Sequence, residues 1–318
     1  MTTRSATLAV VTPTLGRPDE VLELLATLRG QDRRPEELIV VDGAEPSDRR
    51  TEDAVAAVAA DQPFRVRYQR GERGTAVQRN AGLDLVSTDL VAFIDDDVRL
   101  EPDFLSTMAA VFAAEGNERV GGVVGYRVTS HARVAESTRW RWYRRLHLFG
   151  TYEPGRYDWT SGYPINANLQ PPFTGTRPVD FLSTSCAVWR AEVFADGLRF
   201  DPFFRDYGVL EDAHLSLRAG KTWTLLQCGD ARCRELSAPG GRVSTRNVGR
   251  KSVVNYWYTF TSVAGPLTPG QRFRFWRFQT FELLRVGAGL ARHPSRATWE
   301  NLRGRVDGMV SIARGRVT

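Results

Sequence analysis

Two short acidic runs carry the residue types that could do chemistry. The first is Asp95, Asp96 and Asp97 in VAFIDDDVRLEP, where the mostly apolar residues Val91 to Ile94 lead straight into three carboxylates. Adjacent like charges repel, so the run needs a partner. One reading is a solvated turn or a helix cap, with Asp97 capping the next helix. The other is a divalent metal site. Carboxylate oxygens are hard ligands suited to Mg2+ or Mn2+, and Mg2+ is usually held by one or two carboxylates together with substrate phosphates. The second run is Glu211–Asp212 in FRDYGVLEDAHLSLRAGK. Both acids open a helical pattern whose dipole favours negative charge at that end, so capping is one reading. The other is that Asp212 accepts a proton from a substrate hydroxyl, as a general base.

The elements that must position these acids alternate. Thr7–Thr12 is a short apolar run ending at Pro13, and Pro18 to Leu28 has helical spacing with Pro18 near its start. Leu38–Val41 reads as a second strand ending at Asp42, Arg49 to Ala60 as a helix and Phe64–Tyr68 as a third strand. Thr75 to Val86 follows as a helix and Leu90–Ile94 as a fourth strand. This βαβαβαβ order implies a largely parallel sheet with flanking helices, and ligands then bind beyond the carboxyl ends of the strands. Asp42 and Asp95–Asp97 stand at such ends. No GxGxxG follows a strand and no GxxxxGK[ST] occurs, so dinucleotide and P-loop readings lack their usual support.

Further along, Pro102 to about Ala114 reads as a helix, Val120–Val128 as a strand, and order resumes at Asp180–Val188 with a helix near Arg190. Glu211–Ala219 is helical and Trp223–Gln227 a strand, with helices at about Arg250–Val263, Arg272–Leu290 and Arg296–Ala313. Residues 129–180 lack clear periodicity and are rich in Pro, Gly, Asn and aromatics. An irregular segment of that length is more often functional than decorative. Its aromatics suit either sugar rings and lipid headgroups or a buried subdomain core. Trp159 and Tyr163 are the candidates for the acceptor side, across the cleft from Asp212.

The 318 residues are 42% hydrophobic and 25% charged, an ordinary globular composition with room for one large or two medium domains. The net charge of +6 is unevenly spread. After Gly265 ten arginines face only Glu282, Glu300 and Asp307, a net +7, so the rest of the chain sums to about −1. In QRFRFWRFQTFELLRVG, Phe273, Trp276, Phe281, Leu283 and Leu284 fall on one broad helical face. That tail reads either as a helix packed on the body or as an interfacial helix on an anionic membrane surface. No nucleic-acid motif accompanies the charge. Cys186, Cys228 and Cys233 are odd in number and match no zinc spacing, which favours a reducing cytoplasm over a disulfide framework. The N-terminal stretch does not read as a signal peptide, and no stretch approaches the roughly 20 apolar residues of a membrane span. A cytoplasmic protein, peripheral on the inner face of the cell membrane, is the expectation.

Five motifs in order give a specific resemblance: TPTLGRP, VVDGAEPSD, RNAGLDLVSTDLVAFIDDDVRLEPDFL, VDFLSTSCAVWRAEVF and YGVLEDAHLSLRAGK. Over roughly residues 7–235 the chain resembles glycosyltransferase family 2, the inverting enzymes of the GT-A fold. The resemblance implies an α/β, Rossmann-like, mostly parallel sheet with flanking helices in a catalytic domain of residues 1–235. Residues 1–100 would be its nucleotide-sugar half, 101–235 its acceptor half, and 236–318 a helical, basic C-terminal extension. It implies a DxD motif at Asp95 and Asp97, with Asp97 and Asp95 on a Mg2+ or Mn2+ ion and Asp95 and Asp96 approaching the ribose and sugar. Thr12, Pro13 and Thr14 match a loop that packs on the base, and Asp42 the first acid after the second strand. Arg79 lies near the phosphates or donor sugar, although its helix could equally turn it to the surface. Asp212 matches the catalytic base and Glu211 its neighbour.

The activity implied is transfer of a sugar from a UDP- or dTDP-sugar to a hydroxyl of a glycan or lipid-linked acceptor. The alternatives are a non-catalytic relative that binds sugar nucleotides, and a nucleotidyltransferase on a related fold. Two departures stand out. Gly43 replaces a second acid often found after the second strand. DARCREL has no His where members often carry one, and Glu235 sits near that place as a metal ligand or a plain surface acid.

Overall fold

The fold, taken from a computed structural model, is described for residues 6–128, 138–204, 208–236 and 244–317. Parts of the irregular segment (129–137) and of the C-terminal extension (237–243) lie outside them. Three buried, mostly apolar runs and one half-exposed edge strand form the first half of the sheet: β1 (Leu8–Thr14), β2 (Glu37–Asp42) and β4 (Leu90–Ile94) are buried, and β3 (Arg65–Arg70) is the edge. They pair in parallel in the order β3-β2-β1-β4, with Val11 opposite both Ile39 and Phe93. The order reverses at β1, flanked by β2 and β4. Such a switch point opens a crevice beyond the carboxyl ends of the strands. Past β4 the sheet becomes mixed. β10 (Cys186–Arg190) runs antiparallel to β4 and to β6 (Val120–Arg127). β6 lies parallel to β11 (Thr224–Glu235), and β5 (Val98–Leu100) and β9 (Thr176–Pro178) join β11 antiparallel.

The flanking helices are α1 (Pro18–Arg29), α2 (Arg50–Val58), α3 (Thr75–Leu83) and α4 (Phe104–Ala113). Pro18 occupies the first turn of α1, where its missing N–H costs nothing. α3 turns Ala76, Arg79, Gly82 and Leu83 inward. It lies so close to the sheet that a Cβ on Gly82 would stand 2.4 Å from a methyl of Val11. Glycine is required there for backbone approach.

Three expectations need correction. β1 does not stop before Pro13. It runs through Thr14, so Thr12, Pro13 and Thr14 are buried strand residues rather than a loop. β1 pairs with β4 only to Val11, which leaves Pro13 facing an unpaired edge where a missing donor is tolerated. β11 does not end at Gln227 but continues, after an irregularity, to Glu235 opposite Val98. The aromatic segment holds a helix, α5 (Thr138–Arg145), and a short hairpin of β7 (Tyr157–Asp158) with β8 (Tyr163–Pro164).

The C-terminal third adds α6 (Glu211–Ala219), α7 (Thr245–Ala264), α8 (Pro269–Arg292) and α9 (Arg296–Ala313). A Thr268–Gln271 capping box starts α8. The lipid-facing stripe expected in this helix is not one surface. Phe273 and Leu284 are exposed, whereas Trp276, Phe281 and Leu283 are partly covered. The innermost rings are Phe275 and Phe278. Phe278 packs with Trp140, Tyr143, Phe149 and Tyr163, and Phe275 with Tyr157, Leu217 and Phe260. The aromatic segment therefore needs the tail to complete its core.

This packing predicts a contrast within one helix. Phe275→Ala should cost about 3–5 kcal/mol in urea denaturation, as a core phenylalanine deletion does. Phe273→Ala should stay within about 0.5 kcal/mol. Equal small losses at both positions would mean that the tail does not brace the body.

Candidate active site

The ends of β1, β2 and β4, the face of α3 and the first turn of α6 converge on the acidic residues. The three aspartates after β4 do not share one direction, and arginines answer the repulsion between two of them. Arg79 of α3, buried at 2% exposure, donates from Nη2 to Asp95 Oδ1 at 2.7 Å and from Nη1 to Glu211 Oε1 at 3.2 Å. It ties the first acidic run to the second across the crevice. Asp96 turns inward. It accepts from Thr14 Oγ1 at 2.7 Å and pairs with Arg17 Nη1 at 3.0 Å. Burial pushes its carboxyl up to about 6, against the lowering effect of Thr14 and Arg17. Asp97 lies at the end of β11, where its carbonyl accepts from Leu236 N at 2.9 Å.

Asp42 is fully buried at the end of β2. Its Oδ1 accepts from the Gly16 and Ala44 amides at 3.0 and 2.9 Å, and its Oδ2 from the Tyr68 hydroxyl at 3.0 Å. It organises the β1–α1 and β2–α2 loops. Gly43 follows where a Cβ would stand 3.0 Å from the Arg73 backbone and 3.2 Å from the Gln78 amide. Gln78 Nε2 fills that space, bonding the carbonyls of Thr14 and Val41 at 2.7 and 2.8 Å. The place that could have held a second acid is occupied by an amide clamp.

Across the crevice, Leu210 adopts φ 75° immediately before α6. A branched residue in the left-handed region is strained, and such strain gathers at functional sites. Glu211 is buried and engaged by Thr75 Oγ1 at 3.1 Å as well as by Arg79. It anchors the turn, leaving Asp212 as the acid beside open space. Asp212 is half-buried, accepts from the Ala213 amide at 2.7 Å and lines a cavity of about 320 Å³. Burial, then the neighbouring Glu211 charge, push its carboxyl up to about 7. His214 faces away. It is buried between Phe204 and Tyr258, with Nε2 3.1 Å from Ser262 Oγ, and burial pushes it down to about 4, so it stays neutral.

The acceptor candidates separate. Tyr163 lines the Asp212 cavity, but Trp159 does not. Trp159 is 43% exposed, packs edge-on against Tyr157, and its carbonyl accepts from Gln271. Glu235 reaches the neighbourhood of Asp97 through β11 and is paired with Arg127 at 2.6 Å. Sequence reasoning missed Arg17, Thr75, Gln78 and, in the cavity, Arg127, Arg139 and Gln227. Gln78 and Arg79, polar residues in a helix packed against a buried sheet, were a readable signal. Arg139 had none, because its segment shows no periodicity.

The residues fit a divalent cation in one mode. Only Oδ1 of Asp95 is engaged by Arg79, and Asp95 with Asp97 offers the pair of hard oxygen donors that Mg2+ or Mn2+ takes together with substrate phosphates. A complete protein cage is not formed. Among the described residues no three His, Cys, Asp or Glu side chains converge as one.

Removing the central cation should be costly. Arg79→Met leaves the buried Glu211 carboxylate without its ionic partner and should destabilise the fold by about 3–5 kcal/mol. Arg79→Lys should recover only part of this, because an ammonium cannot reproduce a fork that spans two carboxylates. Chemical denaturation of the three proteins checks it, and a full rescue by lysine would contradict the bridging role.

Comparison with known proteins bears on the fold and the family. No curated protein matches the chain. Among solved structures, the mannosyltransferase PcManGT from Pyrobaculum calidifontis, in complex with GDP-Man and Mn2+, superposes with a TM-score of 0.58 at 16% identity, covering 99% of this chain and 89% of that one. TarS 1-349 from S. aureus superposes at 0.54 and 15% identity, covering 97% and 92%. Its complex with UDP gives 0.53 over the same shares. These likenesses carry the fold, GT-A, with its mixed central sheet and flanking helices. The profile of Glycosyl transferase family 2 matches residues 9–197, from the first strand to the segment after β10, and a match over more than half the chain makes this protein a member of that family and a glycosyltransferase.

Proposed function

We propose that the protein is an inverting transferase that moves a sugar from a UDP- or dTDP-sugar to a hydroxyl of a glycan or lipid-linked acceptor. The observation that carries this reading is the Arg79 bridge. It ties Asp95 at the β4 end to Glu211, the residue just before Asp212, the acid that opens on a cavity. The crevice at the β1 switch point, rimmed by Thr14, Asp42, Asp95 and Asp96, receives the nucleotide sugar. A cation held by Asp97 and Asp95 would supply positive charge to the departing diphosphate, and the Mn2+ in the PcManGT complex is a precedent for such an ion. The GDP-Man and UDP bound by the neighbours are precedents for the donor class.

Asp212 takes the proton of the acceptor hydroxyl. The acceptor oxygen bonds to the anomeric carbon on the face opposite the leaving group, the carbon–oxygen bond to the nucleoside diphosphate breaks, and the diphosphate leaves with the electron pair. One displacement inverts the linkage. Residues 1–100 serve the donor, residues 101–235 the acceptor, and residues 236–318 brace the acceptor side.

Release of nucleoside diphosphate from UDP-, dTDP- and GDP-sugars tests the chemistry. Asp212→Asn should lower kcat about 10²–10⁴-fold with donor affinity nearly unchanged. The base must be ionised, and its pKa is raised, so kcat/KM should fall as pH drops through about 7 and the limb should vanish in the variant. EDTA and Asp97→Ala should each abolish transfer. Full activity in EDTA, pyrophosphate as product, or an Asp212→Asn rate within a few-fold of wild type would each defeat the mechanism.

The place of work follows from the charge split. Among the described residues no helix is long and apolar enough to cross a membrane. Exposed Phe273 lies between Arg272 and Arg274, a ring and two cations suited to the cytoplasmic face of an anionic membrane, where each arginine contributes on the order of 1 kcal/mol. The protein should sediment with anionic but not neutral vesicles, less so at high salt and less so with Arg272, Arg274 and Arg277 changed to Gln. No binding to either vesicle would remove the membrane from the proposal.

A further inference from the structure

The Asp212 cavity has a wall made of hydrogen-bond donors. Arg177 Nε and Nη2 both donate to Gln227 Oε1, at 3.0 and 2.6 Å. Arginine only donates, so the oxygen of Gln227 is fixed toward Arg177 and its NH2 is the end left over. Gln227 is 2% exposed and lines the cavity. The Asn168 amide donates to Asn166 Oδ1 at 2.9 Å, so Asn166 likewise keeps its NH2 for the cavity it lines. Arg139, on the same wall, donates from Nη2 to the Tyr163 hydroxyl at 2.8 Å and from Nε to the Tyr143 hydroxyl. Its Nη1 has no hydrogen-bond acceptor among the described residues, and Tyr163, having accepted, is free to donate its own proton.

The charges around this wall are unequally matched. Arg127 is neutralised by Glu235 at 2.6 Å. Glu282 is reached from Arg139 through the Tyr143 hydroxyl, which donates to it at 2.7 Å. Glu282 already answers Arg285 at 2.8 Å and Arg305 at 3.4 Å. Among the described residues Arg139 therefore brings a positive charge to the cavity with no carboxylate paired to it directly. Asp212 is the cavity's anionic group, and a second anion suits the donor wall, where charge-assisted hydrogen bonds are the strong ones.

We propose that the acceptor carries an oxyanion, a phosphate or a carboxylate, seated against Arg139, Gln227 and Asn166 while its hydroxyl faces Asp212. This rests on the reading of Asp212 as the acceptor-side base and adds the substrate class: an anionic glycan or a phosphate-bearing lipid or polyol rather than a neutral sugar.

The test uses the full chain in EDTA with its nucleotide site saturated by UDP, titrated calorimetrically with sn-glycerol 3-phosphate, glucuronate, glycerol and glucose. The two anions should bind and the two neutral compounds should not. The tighter anion assigns phosphate or carboxylate, and dihexanoyl phosphatidate binding more tightly than glycerol 3-phosphate assigns a lipid source. Arg139→Gln should weaken anion binding about tenfold or more, the loss of one charge-assisted hydrogen bond. Gln227→Glu should do the same while keeping the Arg177 fork, which guards against misfolding in the first variant. UDP affinity should hold in both. Anions that bind both variants as they bind wild type, or neutral compounds that bind equally well, overturn the proposal. Binding of UDP- and dTDP-sugars is measured alongside. That assay is run without UDP and with Mn2+ in place of EDTA. Nucleotide-sugar binding that fails outright, with anion binding intact, would sink the transferase reading alone, and nucleotide-sugar binding without anion binding would sink the subsite alone.

Discussion

A buried guanidinium shared by two carboxylates holds the site together. Arg79 is nearly inaccessible to solvent and touches Asp95 after β4 and Glu211 at the start of α6, residues more than a hundred positions apart. Each of the three charges would be costly to bury alone, and their mutual attraction is large only because the geometry is close and water is excluded. The arrangement requires α3 to lie hard against the sheet, hence the absent side chain at Gly82. It also requires α6 to begin where it does, hence the left-handed Leu210. Glu211 is spent on the bridge, so Asp212 next to it is left in a partly desolvated position facing open volume. The neighbouring charge and the burial together raise its pKa into the range useful to a base working near neutrality.

The second constraint is aromatic packing around the Asp212 cavity. The segment that carries Arg139, Tyr163 and Asn166 has little regular structure of its own. It is held by rings that meet those of the C-terminal helices: Phe149 stacks on Tyr163 at 4.6 Å, and Phe278 meets Tyr163 at 4.7 Å. Phe275 and Leu217 of α6 belong to one buried cluster, so the tail also backs the helix that presents Asp212. Geometry at the β4 end thus depends on an ion bridge and geometry around the Asp212 cavity on apolar burial. Salt screens exposed charges far more than buried ones, and neither set is exposed, so both should persist at physiological ionic strength.

Much of the first half of this architecture was legible in the chain. The alternation of strand runs and helical spacing up to Ile94 determined four parallel strands: the buried ones read as continuous apolar runs, and the edge strand β3 as the alternating FRVRY. The acids at Asp42, Asp95 to Asp97 and Asp212 were visible as polar residues at the ends of such runs or at a helix start, and the five ordered motifs pointed to the family. What the sequence could not specify was direction. It did not distinguish Asp96, turned inward to Thr14 and Arg17, from Asp95 and Asp97, nor Glu211 as anchor from Asp212 beside the cavity. Those assignments depend on which long-range partner each side chain meets. The same holds for Arg79, which local spacing left open between surface and site, and for the tail, where Phe275 and Phe278 rather than Phe273 face inward. The donor wall joins Arg139 and Asn166 of the aromatic segment to Gln227 of β11, and only tertiary structure, by satisfying the acceptor ends of two amides, decided that their remaining groups are donors.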